Sequence, residues 1–300
     1  MVSRVVSDPR DPQRPAIFVG SLAPALLGDA GEWDFHFVDT VGYLHALHPW
    51  PAKFIPQIPR KAIEDHTAPG GVVLDPFMGC GTTLLEASLL GRPSIGVDNN
   101  AVAVLISRAK TAAYSEADIR LLEDFMQGLA DELTNLRPRP DLAPASENFG
   151  YWFPEDVISR LAALKGRVLD EPEPLRTLLL AALSSIVVRV SYQDSDTRYK
   201  RVDRAISPRA VDRAFGQRLD YLLTQLPTVV GKQMAPTQIY EGDARDLQPI
   251  ASNSVDLIVT SPPYLNAYDY HKYHRQRLHL IDGDVAFARN VEIGKHDDFT

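Results

Sequence analysis

Ser261-Pro262-Pro263-Tyr264 follows directly on the apolar run Leu257–Thr260. Two consecutive prolines cannot continue a central β-ladder, so the strand has to stop there. Their fixed φ makes the turn rigid. Rigidity suits a site in which the Pro262 carbonyl and the Ser261 hydroxyl act as two fixed hydrogen-bond acceptors beside the aromatic face of Tyr264. Such a set fits the exocyclic amine of a nucleobase. That amine is a poor nucleophile because its lone pair is delocalised into the ring. Two acceptors on its hydrogens rehybridise the nitrogen, and stacking on Tyr264 holds a base swung out of its helix.

A second constellation lies far upstream. Asp75-Pro76-Phe77-Met78-Gly79-Cys80-Gly81-Thr82-Thr83 stands between an apolar run and a helical pattern. Two glycines one residue apart let the backbone turn sharply and approach a ligand closely. The helix that follows offers unpaired N–H groups to an anionic part of that ligand. Two common phosphate loops are excluded. A dinucleotide fingerprint needs a small residue where Leu84 stands, and no Gly-Lys-Ser/Thr triplet follows Gly81. The next strand signal ends at Asp98-Asn99, and a later one ends at Glu241-Gly242-Asp243-Ala244. Acidic groups at the carboxyl ends of parallel strands are where open α/β sheets bind ribose hydroxyls. Together these residues describe a site for a nucleoside-bearing ligand.

The elements that must position these residues read as α/β. Val72–Leu74 and Ser94–Val97 are short β-branched runs of the kind that form buried parallel strands. A helix is predicted from about Pro56–Pro59 to Asp65, after a proline-rich extended stretch. Two further strands are predicted near residues 238 and 256. Between them and the first pair, residues 116–230 show helical spacing punctuated by prolines, which reads as a helical insertion. The division is then 1–115, 116–230 and 231–300, with the core continuing in the last part. The first ~40 residues read as irregular from their Pro, Gly and Asp content.

Composition bounds the rest. The chain has 300 residues, 45% apolar and 23% charged, and one cysteine. That is the make-up of a globular protein with an ample core. One cysteine excludes a disulfide framework and a Cys-rich zinc site, and no Cys/His spacing suggests a metal. No run is apolar enough for a membrane helix and no secretory leader is evident, so the expectation is a cytoplasmic protein without a membrane partner. The net charge of −8 conceals a basic stretch: residues 189–218 hold eight Lys/Arg and four Asp. Arg198, Lys200 and Arg201 interleave with Tyr199, which suits phosphates and bases. A second basic set, including Lys272 and Arg275, follows the Ser-Pro-Pro-Tyr turn. His45, His48, His271 and His274 are expected to be solvated or phosphate-facing.

The elements DPFMGCGTT, GVDNN, EGDARDL and TSPPY resemble four motifs of the S-adenosylmethionine-dependent amino-methyltransferases of DNA. HPWPAKF is similar to the HPYPAKF element of one bacterial branch. The resemblance covers residues 45–114 and 237–275. It implies a Rossmann-like methyltransferase sheet and S-adenosyl-L-methionine as cofactor. Asp75, Phe77, Gly79, Gly81 and Thr82 would shape the cofactor pocket, and Lys53 and Phe54 would line it. Asp98, with Asn99 beside it, would take the ribose hydroxyls, and Asp243, beside Ala244, the adenine amine. Ser261, Pro262, Pro263 and Tyr264 would be the catalytic turn, acting on a flipped base in DNA. A serine in first place favours cytosine N4. Adenine N6, an RNA base, or a non-catalytic subunit that binds DNA are the rival readings. The C5 route, which needs a nucleophilic cysteine after a proline, is excluded because Cys80 sits inside the glycine loop. Only four strands are legible where the resemblance implies seven. The expectation is therefore a chain lacking its C-terminal part, or one whose open fourth strand is completed by a second polypeptide.

Overall fold

In the computed structural model, the described residues are 2–6, 16–22, 33, 35, 38–144, 149–264 and 268–295. Strands β1 (Val2–Val6) and β2 (Ala16–Leu22) open the chain. Helix α1 (Gln57–His66), strand β3 (Val73–Asp75), helix α2 (Thr82–Leu89), strand β4 (Ser94–Asp98) and helix α3 (Ala101–Thr111) follow. The helices α4 (Glu116–Glu132), α5 (Phe149–Trp152), α6 (Glu155–Leu169) and α7 (Leu175–Ile186) come next. A two-stranded ribbon, β5 (Gln193–Ser195) and β6 (Arg198–Arg201), precedes the long helix α8 (Pro208–Val229). Strands β7 (Thr237–Glu241) and β8 (Leu257–Thr260) return to the sheet. Helices α9 (Tyr270–Tyr273), α10 (Arg275–Leu280) and α11 (Val285–Val291) complete the described chain.

The sheet has six strands in the order β1-β2-β8-β3-β4-β7. All neighbours are parallel except β1 and β2. Parallel order brings the carboxyl ends of β3, β4, β7 and β8 to one edge, where the glycine loop, Asp98, Gly242 and Ser261 all stand. This is the Rossmann-like α/β architecture expected from the sequence.

Two expectations are corrected here. The opening residues are not irregular throughout. Val2–Val6 holds three valines and Ala16–Leu22 opens on the apolar run Ala-Ile-Phe-Val, and the prolines at 9, 12 and 15 fall between them. Nor is β8 an open edge. Ala16–Val19 of β2 pair in register with Leu257–Thr260, so the strand leading into Ser261 is hydrogen-bonded on both sides. The argument for a second polypeptide at that edge falls with it.

The helices between β4 and β7 share one core with the sheet helices. Leu122, Phe125 and Leu129 of α4 recur at helical spacing and are buried, as are Leu178, Leu179 and Leu183 of α7 and Leu219, Leu222 and Leu226 of α8. Leu85 of α2 and Ala109 of α3 belong to the same cluster. Each such leucine or phenylalanine contributes about 1.5–3 kcal/mol by leaving water. The start of α4 is set by a capping box, Ser115 with Asp118. The insertion also holds the ribbon β5–β6, which the helical periodicity on either side did not predict.

Candidate active site

Strand β3 delivers Asp75 to the sheet edge, where it is nearly fully buried. Its carboxylate accepts a hydrogen bond from the Thr260 hydroxyl at 2.8 Å and from the Phe77 amide at 3.1 Å. Thr260 immediately precedes Ser261. Asp75 therefore ties the glycine loop to the strand that ends in the proline turn. Burial pushes its carboxyl up to about 6, against the pull of these hydrogen bonds.

The loop itself depends on two left-handed glycines, Gly79 at φ 49° and Gly81 at φ 72°. A side chain at Gly79 would meet the Trp50 indole nitrogen at 3.0 Å. One at Gly81 would meet Ser107 of α3, whose hydroxyl bonds the Gly79 carbonyl. Asp98 holds the loop from the next strand. It accepts the Gly79 amide at 2.9 Å on one oxygen and the Asn100 amide at 3.0 Å on the other. Burial pushes the Asp98 carboxyl up to about 7. Asp75 and Glu292 nearby add to that, and the two amide hydrogen bonds oppose it.

Between these residues lies a cleft of about 840 Å³, counted to its open mouth. Lys53, Phe54, Asp75, Phe77, Gly79, Thr82, Asp98, Asn99 and Ala244 line it, and so do Ser261 and Pro263. The cleft thus joins the two constellations that the chain holds some 180 residues apart. Gly81, Pro262, Tyr264 and Asp243 do not line it. Gly81 caps α2 from beneath the loop. Tyr264 packs edge-on to Tyr268, with ring centres 6.2 Å apart. The Asp243 carboxylate is engaged by the Arg245 guanidinium, which holds it below the usual carboxylate range. Its backbone neighbours Gly242 and Ala244 face the cleft instead. This arrangement departs from the role the resemblance implies for Asp243.

Trp50, Tyr270 and Glu292 line the cleft as well, and motif reading did not single them out. Trp50 lies in the HPWPAKF segment and stacks on His274 at 4.2 Å and on Tyr270 at 6.4 Å. An aromatic between two prolines in a segment already matched to the site was its available signal. Glu292 follows α11 and has no such signal. Its carboxylate accepts the amides of Tyr270 and His271 and the His271 ring nitrogen at 2.6 Å.

The histidines are not solvated. His45 pairs with Glu86 at 2.7 Å, His48 bonds the Pro49 carbonyl and Ser184, and His274 is fully buried under Trp50. Burial lowers His45, His48 and His274 below the usual imidazole range, so they stand neutral near pH 7. Of the basic candidates, Arg198 and Lys200 are exposed on β6. Arg201 is stacked on Tyr192 and Tyr151 and paired with Asp203. Lys272 pairs with Asp269 at 2.6 Å. Arg275 is half-buried and hydrogen-bonds Tyr199. Strand β6 packs against α9, so the ribbon sits beside the helix that follows the proline turn.

The fold is a Rossmann-like α/β sheet, and residues 32–108 match the family model described as DNA methylase. Enzymes of that class take S-adenosylmethionine as methyl donor. Among curated proteins, the chain is 34% identical over 105 residues to the type II methyltransferase M.MjaII of Methanocaldococcus jannaschii, covering 33% of this chain and 19% of that protein. It is 28% identical over 247 residues to the type II methyltransferase M.MvaI of Kocuria varians, covering 75% and 54%. It is 23% identical over 283 residues to the type II methyltransferase M.BsoBI of Geobacillus stearothermophilus, covering 82% and 55%. The chain thus spans about half, or less, of the length of the curated relatives it matches. Among the described residues, no helix is long and apolar enough to cross a membrane.

The cleft fits the donor. At Gly79 a Cβ would press on Trp50, so the loop backbone itself forms the wall there. Carboxyl oxygens stand at its strand ends, Phe54 and Phe77 give it apolar faces, and Lys53 gives it a cation.

Proposed function

We propose that the chain carries the cofactor-binding and catalytic parts of a DNA methyltransferase that modifies the N4 amine of cytosine. One observation supports this above the others: Ser261 and Pro263 share a single cleft with the glycine loop. S-adenosylmethionine would supply an electrophilic methyl carbon bound to a cationic sulfur. Asp98 and Asn99 hold the ribose side of the pocket, and Lys53, Phe54 and Trp50 close its upstream wall. The Ser261 hydroxyl and the Pro262 carbonyl accept the two hydrogens of the target amine. That turns its lone pair toward the methyl carbon, and the amine proton then passes to solvent after transfer. Tyr264, with Tyr268 against it, stacks on the extruded base. A direct displacement of this kind needs no covalent enzyme intermediate, consistent with the burial of Cys80 inside the glycine loop.

DNA is the proposed substrate. Its phosphates are met by Arg198 and Lys200 on the ribbon, with Lys272 and Arg275 nearer the turn and Arg201 holding the ribbon to Tyr151. The test is transfer of labelled methyl to duplex DNA, followed by nucleoside analysis. The expected product is N4-methylcytosine, lost in Ser261→Ala while cofactor binding persists. N6-methyladenine as the product would move the assignment to adenine. Cofactor binding without transfer to any DNA would favour a non-catalytic role.

A further inference from the structure

The charge on the cleft is lopsided. Three carboxyl groups line it, those of Asp75, Asp98 and Glu292, against one ammonium, that of Lys53. Asp75 and Asp98 are each committed to the glycine loop through amide hydrogen bonds. Glu292 comes from a late segment of the chain, after α11, and is itself nearly buried. It is fixed there by three hydrogen bonds from the Tyr270–His271 segment. Tyr270, pinned by the same carboxylate, lines the cleft beside it and stacks toward Trp50.

A cavity with this balance prefers a ligand carrying an extra positive charge. The methyl donor and the product left after transfer differ in that one charge, since the sulfonium becomes a neutral thioether. Both keep the same ammonium, carboxylate, ribose and purine. We propose that Glu292 is a specificity-determining residue of the cofactor site: its fixed carboxylate favours the cationic donor over the neutral product and so promotes product exchange. This rests on the cleft being the cofactor site.

Calorimetry with S-adenosylmethionine and S-adenosylhomocysteine on the wild type, Glu292→Gln and Glu292→Asp tests it. The glutamine variant should lower the donor-to-product affinity ratio by on the order of tenfold, the scale of one partly screened charge within a few ångströms. The aspartate variant should retain most of the ratio. A purely structural role in holding Tyr270 would weaken both ligands alike and leave the ratio unchanged, which overturns the proposal. If the wild type binds neither ligand, the cofactor reading fails, and this proposal with it.

Discussion

Replacing Gly81 by alanine separates the two demands that the glycine loop places on its backbone. The first is conformational. At φ 72°, alanine enters the left-handed region, which costs about 1–2 kcal/mol. The second is spatial. The new methyl carbon would lie 2.6 Å from the Ser107 hydroxyl oxygen, 3.0 Å from its Cβ and 3.1 Å from its Cα. The hydroxyl can rotate only by giving up its hydrogen bond to the Gly79 carbonyl. The Cα cannot move without helix α3. Overpacking of that kind costs about 1–3 kcal/mol, giving about 2–5 kcal/mol in all. Gly91 isolates the first demand: its φ is 73° and nothing lies within 4 Å of a built Cβ. Gly91→Ala should therefore lose only the conformational part, about 1–2 kcal/mol. Denaturant unfolding of both variants gives the comparison directly, and cofactor titration should show weakened binding for Gly81→Ala alone. Equal destabilisation of the two variants, or a smaller loss at Gly81, would refute the claim that α3 packs against the loop as described.

Three other outcomes can be measured. Burial holds Asp98 protonated up to about pH 7 and Asp75 up to about pH 6. These two carboxyls bind more protons folded than unfolded above about pH 4, so their own contribution to stability falls as pH rises from about 4 to 7 and then levels, while the neutral His45, His48 and His274 act in the opposite sense. The Asp98 share is read as the difference between the pH–stability profiles of the wild type and Asp98→Asn. Affinity for the cationic donor should rise over the upper part of that range as Asp98 ionises. A flat affinity profile between pH 5.5 and 8.5 would remove Asp98 from the binding surface. Arg277 is fully buried and bonds Asp196 and the Ser184 carbonyl. Arg277→Ala should destabilise the fold by about 3 kcal/mol or more, without changing the salt dependence of DNA binding. Reversing the charge of Arg198 and Lys200 together should flatten the slope of log affinity against log salt by roughly 2, and an unchanged slope would take the ribbon out of the DNA interface.

The parts of the site legible in the sequence are those built from contiguous residues. Asp75 to Thr83 is a strand end, a loop and a helix start in one stretch, and its glycines announce the turn by their type. Ser261 to Tyr264 is legible for the same reason, since two prolines end a strand wherever they fall. What stayed hidden depends on pairings across long separations. The burial of His48 and His274 follows from Ser184 and Trp50 closing over them, which no local spacing reveals. Glu292 looks like an ordinary acidic residue after a short helix until its carboxylate is seen holding a segment 21 residues earlier. Strand β2 reads as irregular chain among the prolines, because the parallel partner that makes it a strand lies near the other end of the chain.

That last pairing has a consequence for how the protein comes off the ribosome. Strand β2 emerges within the first two dozen residues, and the strand it pairs with in parallel follows about 240 residues later. At ordinary rates of synthesis the wait is on the order of 10–50 s. Throughout it, β1 and β2 are at most a two-stranded hairpin, which is marginal on its own in water. The cofactor cleft is similarly delayed, because its last wall arrives with Glu292. The nascent chain therefore carries helices α1 to α8 before β7 and β8, the last two strands of its sheet, have emerged. That interval is when a chaperone, or an unwanted strand from a neighbouring chain, can reach the β2 edge.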